Sequence, residues 1–314
     1  MEININFQNL IISCSVDKTL QIHDAKDYLL IKKINNSEYI NCMDYFYKLK
    51  DELFIVFGDN YGNIKFYKNF YERKSIKATN NVIISIKYSN DGKYVISRDI
   101  EGKVNCWNTE TYEKCNSWNE KMFYSYGNCS KDMICFYNKK KYKFLTCGKT
   151  IDGNNSLITE LTIGKNNIIE FMKGIHGNNE IIAIDISYSD ELLVSGGADN
   201  YLKIWKLKSK KLIFKYNHNN LVCSTKFSPN GLYVFSGCWD KSIKIFNLKT
   251  KSLLFCNKLN GIISSFAWNL NGNKYIVETL SKNELTKFEF KSKKIIKNFN
   301  TDSNIISIIF FWEN

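Results

Sequence analysis

Short runs rich in Ile, Val, Phe and Tyr alternate along the whole chain with clusters of Gly, Asn and Asp. Apolar runs of this length and type, bounded by turn residues, read as β-strands joined by tight turns. One stretch shows the unit plainly. Leu221 to Gly231 reads as a strand and its turn, YVFSGC as a second strand, SIKIFNL as a third and KSLLFCN as a fourth. No segment carries the three-to-four-residue apolar spacing of an amphipathic helix.

Between the second and third strands of each unit an Asp recurs, best seen in SGCWDKSIKIFNL, Ser236 to Leu248. Asp17, Asp59, Asp99, Asp199 and Asp240 follow at intervals of 42, 40, 100 and 41 residues, with Asp152 near the middle of the long gap and Ser281 where a seventh Asp is expected. A period of ~40 to 45 residues with four strands per unit is what a blade of a β-propeller requires. The expectation is therefore an all-β chain forming a single seven-bladed propeller over residues 1–314, with four antiparallel strands per blade.

Complete blades are expected to start near Tyr39, Asn81, Met133, Glu180, Leu221 and Gly261. The remainder is three strands at the start (Asn9–Cys14, Thr19–His23, Tyr28–Ile34) and one at the end (Asn304–Trp312). Residues 304–314 then complete the blade begun by residues 9–34, which removes an open sheet edge. The fourth repeat is irregular. Its first strand is placed at Met133 to Tyr137, with residues 118–130 as an inserted loop; the other register makes Met122 to Tyr126 the inner strand.

At the residue level the chain resembles the WD-repeat (WD40) family along essentially its whole length. That family carries a buried His, Ser or Thr, Asp and Trp in each blade. His176, Ser195, Asp199 and Trp205 match it, then His218, Ser236 and Asp240 with Phe246 in the Trp place. Asp99 and Trp107 match in the third repeat, where no His precedes them. The Trp-Asp pair itself is degenerate, reading His23-Asp24, Phe66-Tyr67, Trp107-Asn108, Trp205-Lys206 and Phe246-Asn247. The resemblance implies a structural tetrad at these positions and a role in holding other macromolecules together. A hydrolase-like triad from the same residue types is disfavoured, because the Ser lies within a strand and the spacing recurs in the next repeat.

Composition adds little chemistry. The net charge is +13, but Arg occurs only at Arg73 and Arg98 and the remaining basic residues are Lys, in a chain with one Pro and abundant Asn and Ile. Such bias weakens the charge as a sign of a polyanionic partner. The ten cysteines form no CxxC pair and several lie inside apolar strands, as expected of buried thiols in a reducing compartment. There is no phosphate-binding glycine loop, no HExxH and no Cys/His set at zinc spacing, so no catalytic residue, metal or cofactor is assigned. Neither a secretory signal nor a membrane-spanning stretch is read, giving an intracellular, cytoplasmic or nuclear expectation.

Binding is expected on loops. On the face bearing the Asp turns the candidates are Trp239, Arg98, Tyr39, Tyr201 and the insert residues Trp118, Phe123, Tyr124 and Tyr126, since aromatics and Arg dominate interface hot spots. On the opposite face Lys208, Lys210, Lys211, Lys249, Lys251, Lys291, Lys293 and Lys294 form a basic arc suited to RNA, anionic headgroups or an acidic protein. The leading expectation is a non-catalytic scaffold, a monomeric propeller within a larger complex of proteins. The alternative is a basic module binding RNA or anionic surfaces.

Overall fold

In a computed structural model, which describes residues 10–15, 17–48, 52–120, 122–123, 134–137, 141–268, 274–280, 284–289, 294–300 and 305–310, the chain forms seven small antiparallel sheets. Blades are numbered here by their Asp turns. Their innermost strands are Ile305–Phe310, Ile40–Lys48, Ile83–Tyr88, the two pieces Met122–Phe123 and Ile134–Tyr137, Ile181–Ile186, Val222–Phe227 and Ile262–Trp268. Each innermost strand packs against the next, and the last packs against Ile305–Phe310, which in turn meets Ile40–Lys48. The result is a closed, seven-bladed β-propeller. No helix among the described residues is long and apolar enough to cross a membrane.

The first blade orders its strands as Ile305–Phe310, Leu10–Ser15, Thr19–Asp24 and Leu30–Asn35. Apolar residues sit between sheets rather than within them. Leu10, Ile12, Leu20 and Ile22 of the first blade pack with Ile40, Leu53, Ile55 and Phe57 of the second, and equivalent clusters fill the seams from the second blade to the seventh. Burial of such side chains supplies ~1.5 to 3 kcal/mol each. At the seam that joins the seventh blade to the first, the buried Lys287 donates from Nζ to the carbonyl of Ala25 at 2.9 Å.

Every blade carries a β-bulge where the third strand meets the fourth. In six blades it falls at one place, His23, Tyr67, Trp107, Trp205, Phe246 and Phe288, and in the irregular fourth blade it falls two residues earlier, at Thr159 opposite Thr146. A bulge raises the local right-handed twist, and six matched bulges give six matched blades. This position is that of the repeat's Trp. In the second blade it is therefore Tyr67-Lys68, not the Phe66-Tyr67 read from the sequence.

The Asp turn explains that slip. In every case the carboxylate accepts the backbone N–H two residues on, Asp17 from Thr19, Asp59 from Tyr61, Asp99 from Glu101, Asp152 from Asn154, Asp199 from Tyr201 and Asp240 from Ser242, at 2.9 to 3.1 Å. The Asp does not, however, occupy one site. In the fifth and sixth blades it stands three residues past the paired Gly196 and Gly237, whereas Asp59 and Asp99 directly follow the paired Gly58 and Arg98. Aspartate caps a turn from either place.

The fourth blade also departs from expectation. Met122 and Phe123 pair with Thr150 and Lys149, and Ile134 to Tyr137 pair with Thr146 to Lys143, so both registers of the inner strand are present on one partner strand. Trp118 is not part of an insert. It lies in Lys114–Asn119, the outer strand of the third blade, paired with Val104 and 2% exposed.

Removing residues 304–314 leaves Leu10–Ser15 with an unpaired edge. The truncated chain is expected to melt several degrees lower and to elute as oligomers in size-exclusion chromatography. An unchanged melting temperature with monomeric elution would show that the strand contributes nothing to closure.

Candidate functional site

The side chains with the most chemical potential are used inside the blades. In the fifth, Trp205 Nε1 donates to Ser195 Oγ at 3.0 Å, Ser195 Oγ lies 2.8 Å from His176 Nε2, and His176 Nδ1 lies 2.6 Å from Asp199 Oδ1. Because Ser195 accepts from the indole, its hydroxyl proton points to Nε2, and the imidazole proton sits on Nδ1 toward the carboxylate. Lys203 Nζ donates to the other Asp199 oxygen at 2.7 Å. Ser195 is 0% exposed, so no substrate reaches it. Burial holds the His176 pKa below its ordinary value. For Asp199 burial acts upward, but the bonds from His176 and Lys203 outweigh it and the carboxyl stays below the usual range.

The sixth blade uses the same letters differently. Ser236 Oγ and His218 Nε2 are 3.0 Å apart, but Lys244 Nζ occupies the place of the carboxylate, 3.0 Å from His218 Nδ1. An ammonium can only donate, so Nδ1 accepts and the imidazole proton sits on Nε2. Asp240 lies 3.9 Å from Lys244, and Phe246, lacking a donor, packs on Tyr216 at 4.8 Å. Burial, reinforced by the Lys244 charge, depresses His218 to about 3.

Two further networks carry no His. In the third blade Trp107 Nε1 donates to Ser97 Oγ at 3.1 Å, while Thr79 Oγ1 donates to Asp99 at 2.6 Å. At the next seam Glu120 takes the His place. It accepts Arg98 Nε at 3.0 Å and hydroxyl bonds from Thr146 and Thr159, with both charged side chains fully buried. Arg98 stands where the other blades have Gly58, Gly196 and Gly237. A Cβ on those glycines would come within 2.4 to 2.7 Å of the neighbouring blade's Ile83, Val222 or Ile263. Arg98 thus contributes to the seam and offers nothing to a surface partner.

The remaining candidates disperse. Tyr39 is 46% exposed with Lys18 over its ring at 5.3 Å. Tyr201 is half-buried between Lys203 and Lys215, and Trp239 is half-buried against the core of the fifth blade. Phe123 is in the split inner strand, and Tyr124 and Tyr126 lie outside the described residues. Lys208, Lys210, Lys211, Lys249 and Lys251 are exposed on the opposite face; Lys291 and Lys293 lie outside the described residues, and Lys294 begins the strand Lys294–Asn300.

Two features were not read from the sequence. Around the central channel, Asp44 accepts the backbone N–H of Tyr88 at 2.7 Å and Lys87 Nζ at 3.1 Å, and Asp185 likewise accepts Phe227 N–H at 2.8 Å and lies 3.9 Å from Lys226. These staples join consecutive inner strands and line a cavity of about 670 Å³ with Tyr45, Phe46, Phe136 and Tyr188. The recurring Asp-then-Lys at one place of the first strand was the available signal. Second, exposed apolar side chains favour the face away from the Asp turns. Tyr39, Tyr61 and Ile151 are on the Asp-turn face, against Leu29, Leu30, Tyr71, Tyr188, Leu232 and the starts of three outer strands on the other.

Comparison with known proteins places these features. Residues 170–206 and 210–247 match the WD domain, G-beta repeat family. Each matched span runs from one blade's outer strand into the next blade and takes in one of the two histidine networks. Eukaryotic translation initiation factor 3 subunit I of Phaeosphaeria nodorum is 33% identical over 57 residues, which is 18% of this chain and 17% of that protein. Among solved structures, the β-propeller domain of Myceliophteria thermophila Cps50 (Swd1) superposes with a TM-score of 0.74 at 14% identity, covering 90% of this chain and 92% of that one. The C-terminal WD40 domain of Sif2 gives 0.70 at 16% identity, covering 96% and 83%.

The depressed His218 pKa makes stability pH-dependent with a definite sign. Below the unfolded value of ~6.5 the unfolded chain binds a proton the folded chain refuses, so stability falls as pH drops from 6.5 toward 3, by about 1.4 kcal/mol per unit per histidine. His176 acts in the same direction. Urea unfolding of His218→Gln is expected to show a slope reduced by about one proton between pH 6 and 4.5; an unaltered slope would remove His218 from this role. Glu120→Gln, which strands the Arg98 charge, is expected to cost ~3 to 5 kcal/mol, and Arg98→Met with Glu120→Leu to recover most of it. Equal losses in the single and double variants would show that the ion pair is not what the seam depends on.

Proposed function

We propose that this WD-repeat β-propeller is a non-catalytic scaffold, a single propeller acting as one subunit of a larger intracellular protein complex. The observation that carries this is the fate of its reactive side chains. Ser195, His176, His218 and Glu120 are buried and committed to bonds between strands and blades. What remains at the surface is loop carrying apolar and charged side chains, the material of macromolecular contacts. Among the described residues no group of His, Cys, Asp and Glu has the arrangement to hold a metal.

The likeness to a subunit of an initiation factor supports the kind of role, a part within an assembly. It covers too little of that protein to carry over the assembly itself. The fold is shared with many functions, and the loops decide among them.

A tagged copy purified from its own cells at low and at moderate salt is expected to bring the same stoichiometric protein partners at both. Recovery of nucleic acid alone, lost at moderate salt, would overturn the scaffold reading, because phosphate contacts weaken steeply with ionic strength.

A further inference from the structure

The turns joining third to fourth strands in the third, fifth and sixth blades are built alike but furnished differently. In the fifth blade this turn exposes Lys206, Lys208, Lys210 and Lys211, and in the sixth Lys249 and Lys251. No acidic residue lies in either turn. The same turn of the third blade exposes Glu110 and Glu113 instead. A lysine-rich composition spread evenly would not produce this contrast.

Backbone geometry sharpens it. In the third, fifth and sixth blades the turn holds one residue in the left-handed region, Tyr112 (φ 60°), Lys210 (φ 57°) and Lys251 (φ 53°), while the shorter turn of the second blade holds two, Asn69 (φ 49°) and Phe70 (φ 67°). Tyr112 packs on Phe66 at 5.2 Å, so the longer turn accepts an aromatic ring folded inward. The fifth and sixth blades place an exposed lysine there.

Apolar side chains lie between these lysines. Ile168 and Ile169, Leu212 and Leu253, at the starts of three consecutive outer strands, are 38 to 42% exposed, and Leu232 is 51% exposed. Neighbouring blades are tied at this end, and Leu248 of the sixth packs on the same apolar cluster as Leu192 and Phe214 of the fifth. Lys210 Nζ donates to the Phe171 carbonyl of the fourth blade at 2.6 Å, and in the sixth blade Leu248 N–H donates to Leu232 O at 3.0 Å, tying the inner turn to the lysine turn.

We propose that the partner of this propeller docks here, on the face away from the Asp turns across blades four to six, and that it presents an acidic protein segment with interspersed aliphatic side chains. This rests on the scaffold reading and adds the face and the chemistry of the partner. Carboxylates meet the lysines, and aliphatic side chains cover the Ile and Leu between them. The exposed side chains between the lysine turns are aliphatic, and the exposed ring of this surface, Tyr188, lies on the inner turn of the fifth blade apart from them, a poor stacking platform that disfavours RNA. Lying half-exposed and flush between lysines, they suit a chain laid across them rather than insertion into lipid.

The test is amine-acetylation footprinting of the full chain, free and in its purified complex, read by mass spectrometry. Lys208, Lys210, Lys211, Lys249 and Lys251 are expected to react at least fivefold more slowly in the complex. The exposed Lys77, Lys241 and Lys258 at the Asp-turn end are expected to be unchanged. Carboxylate-to-amine cross-links from the five lysines are expected to land in an acidic, aliphatic stretch of the partner. Replacing the five with Gln should weaken partner retention about tenfold in a salt-sensitive way, and Leu212→Ser with Leu253→Ser should weaken it at any salt, both with unchanged melting temperature. Protection of the Asp-turn lysines instead would overturn the inference while leaving the scaffold reading intact. Reactivity restored by nuclease or by detergent would assign the face to RNA or lipid and overturn it. Absence of any stoichiometric partner would sink both.

Discussion

A four-stranded sheet with apolar residues on both faces has no stable existence alone. Everything in this molecule follows from that constraint. Alternate residues of each strand point to opposite sides, and both sides are apolar, so each blade must be sandwiched between two others and the row must close on itself. Closure makes the seams, not the blades, the units of stability. The seams from the first blade round to the seventh each hold an apolar cluster, and buried polar groups at the seams carry bonds that cross them: Asp44 to Tyr88, Asp185 to Phe227, Lys287 to Ala25, Glu120 to Thr146.

Strand type and period were legible because they are local properties, and the turn residues mark them every forty or so positions. Roles that depend on a neighbouring blade were not legible. Arg98 beside Asp99 has the look of a loop residue, yet it fills a position that is Gly in three other blades and meets Glu120 across the sheet. Glu120 and Thr79 do the work that His does elsewhere, and no single-letter pattern announces the exchange. Trp118 was assigned to an insert because the fourth blade's inner strand is broken in sequence. Its place in the third blade's outer strand, with Nε1 donating to the Lys165 carbonyl at 2.8 Å, is fixed by long-range pairing alone. The Asp ruler slipped by two residues in two blades because the carboxylate caps equally well from either position.

The division between inside and outside has a functional meaning. Ser195, His176, His218 and Glu120, which could act as nucleophile, base or acid, are immobilised in bonds whose purpose is registration, and the loops, which are free of that duty, differ most from blade to blade. The third and fifth blades share bulge, turn and register, yet one offers carboxylates and the other lysines at the same corner.

The two histidine networks look like copies and are electrically reversed. A neutral imidazole is a short rod with a donor at one end and an acceptor at the other. The fifth blade inserts it with the donor toward its Asp turn, and the sixth, with Lys244 in the way, inserts it with the donor toward its Ser. The local dipoles of adjacent blades therefore oppose one another. A carboxamide substituted for either ring must present its N–H₂ and its carbonyl in opposite senses, so a replacement tolerated in one blade is no guide to the other, although the residues spell the same motif.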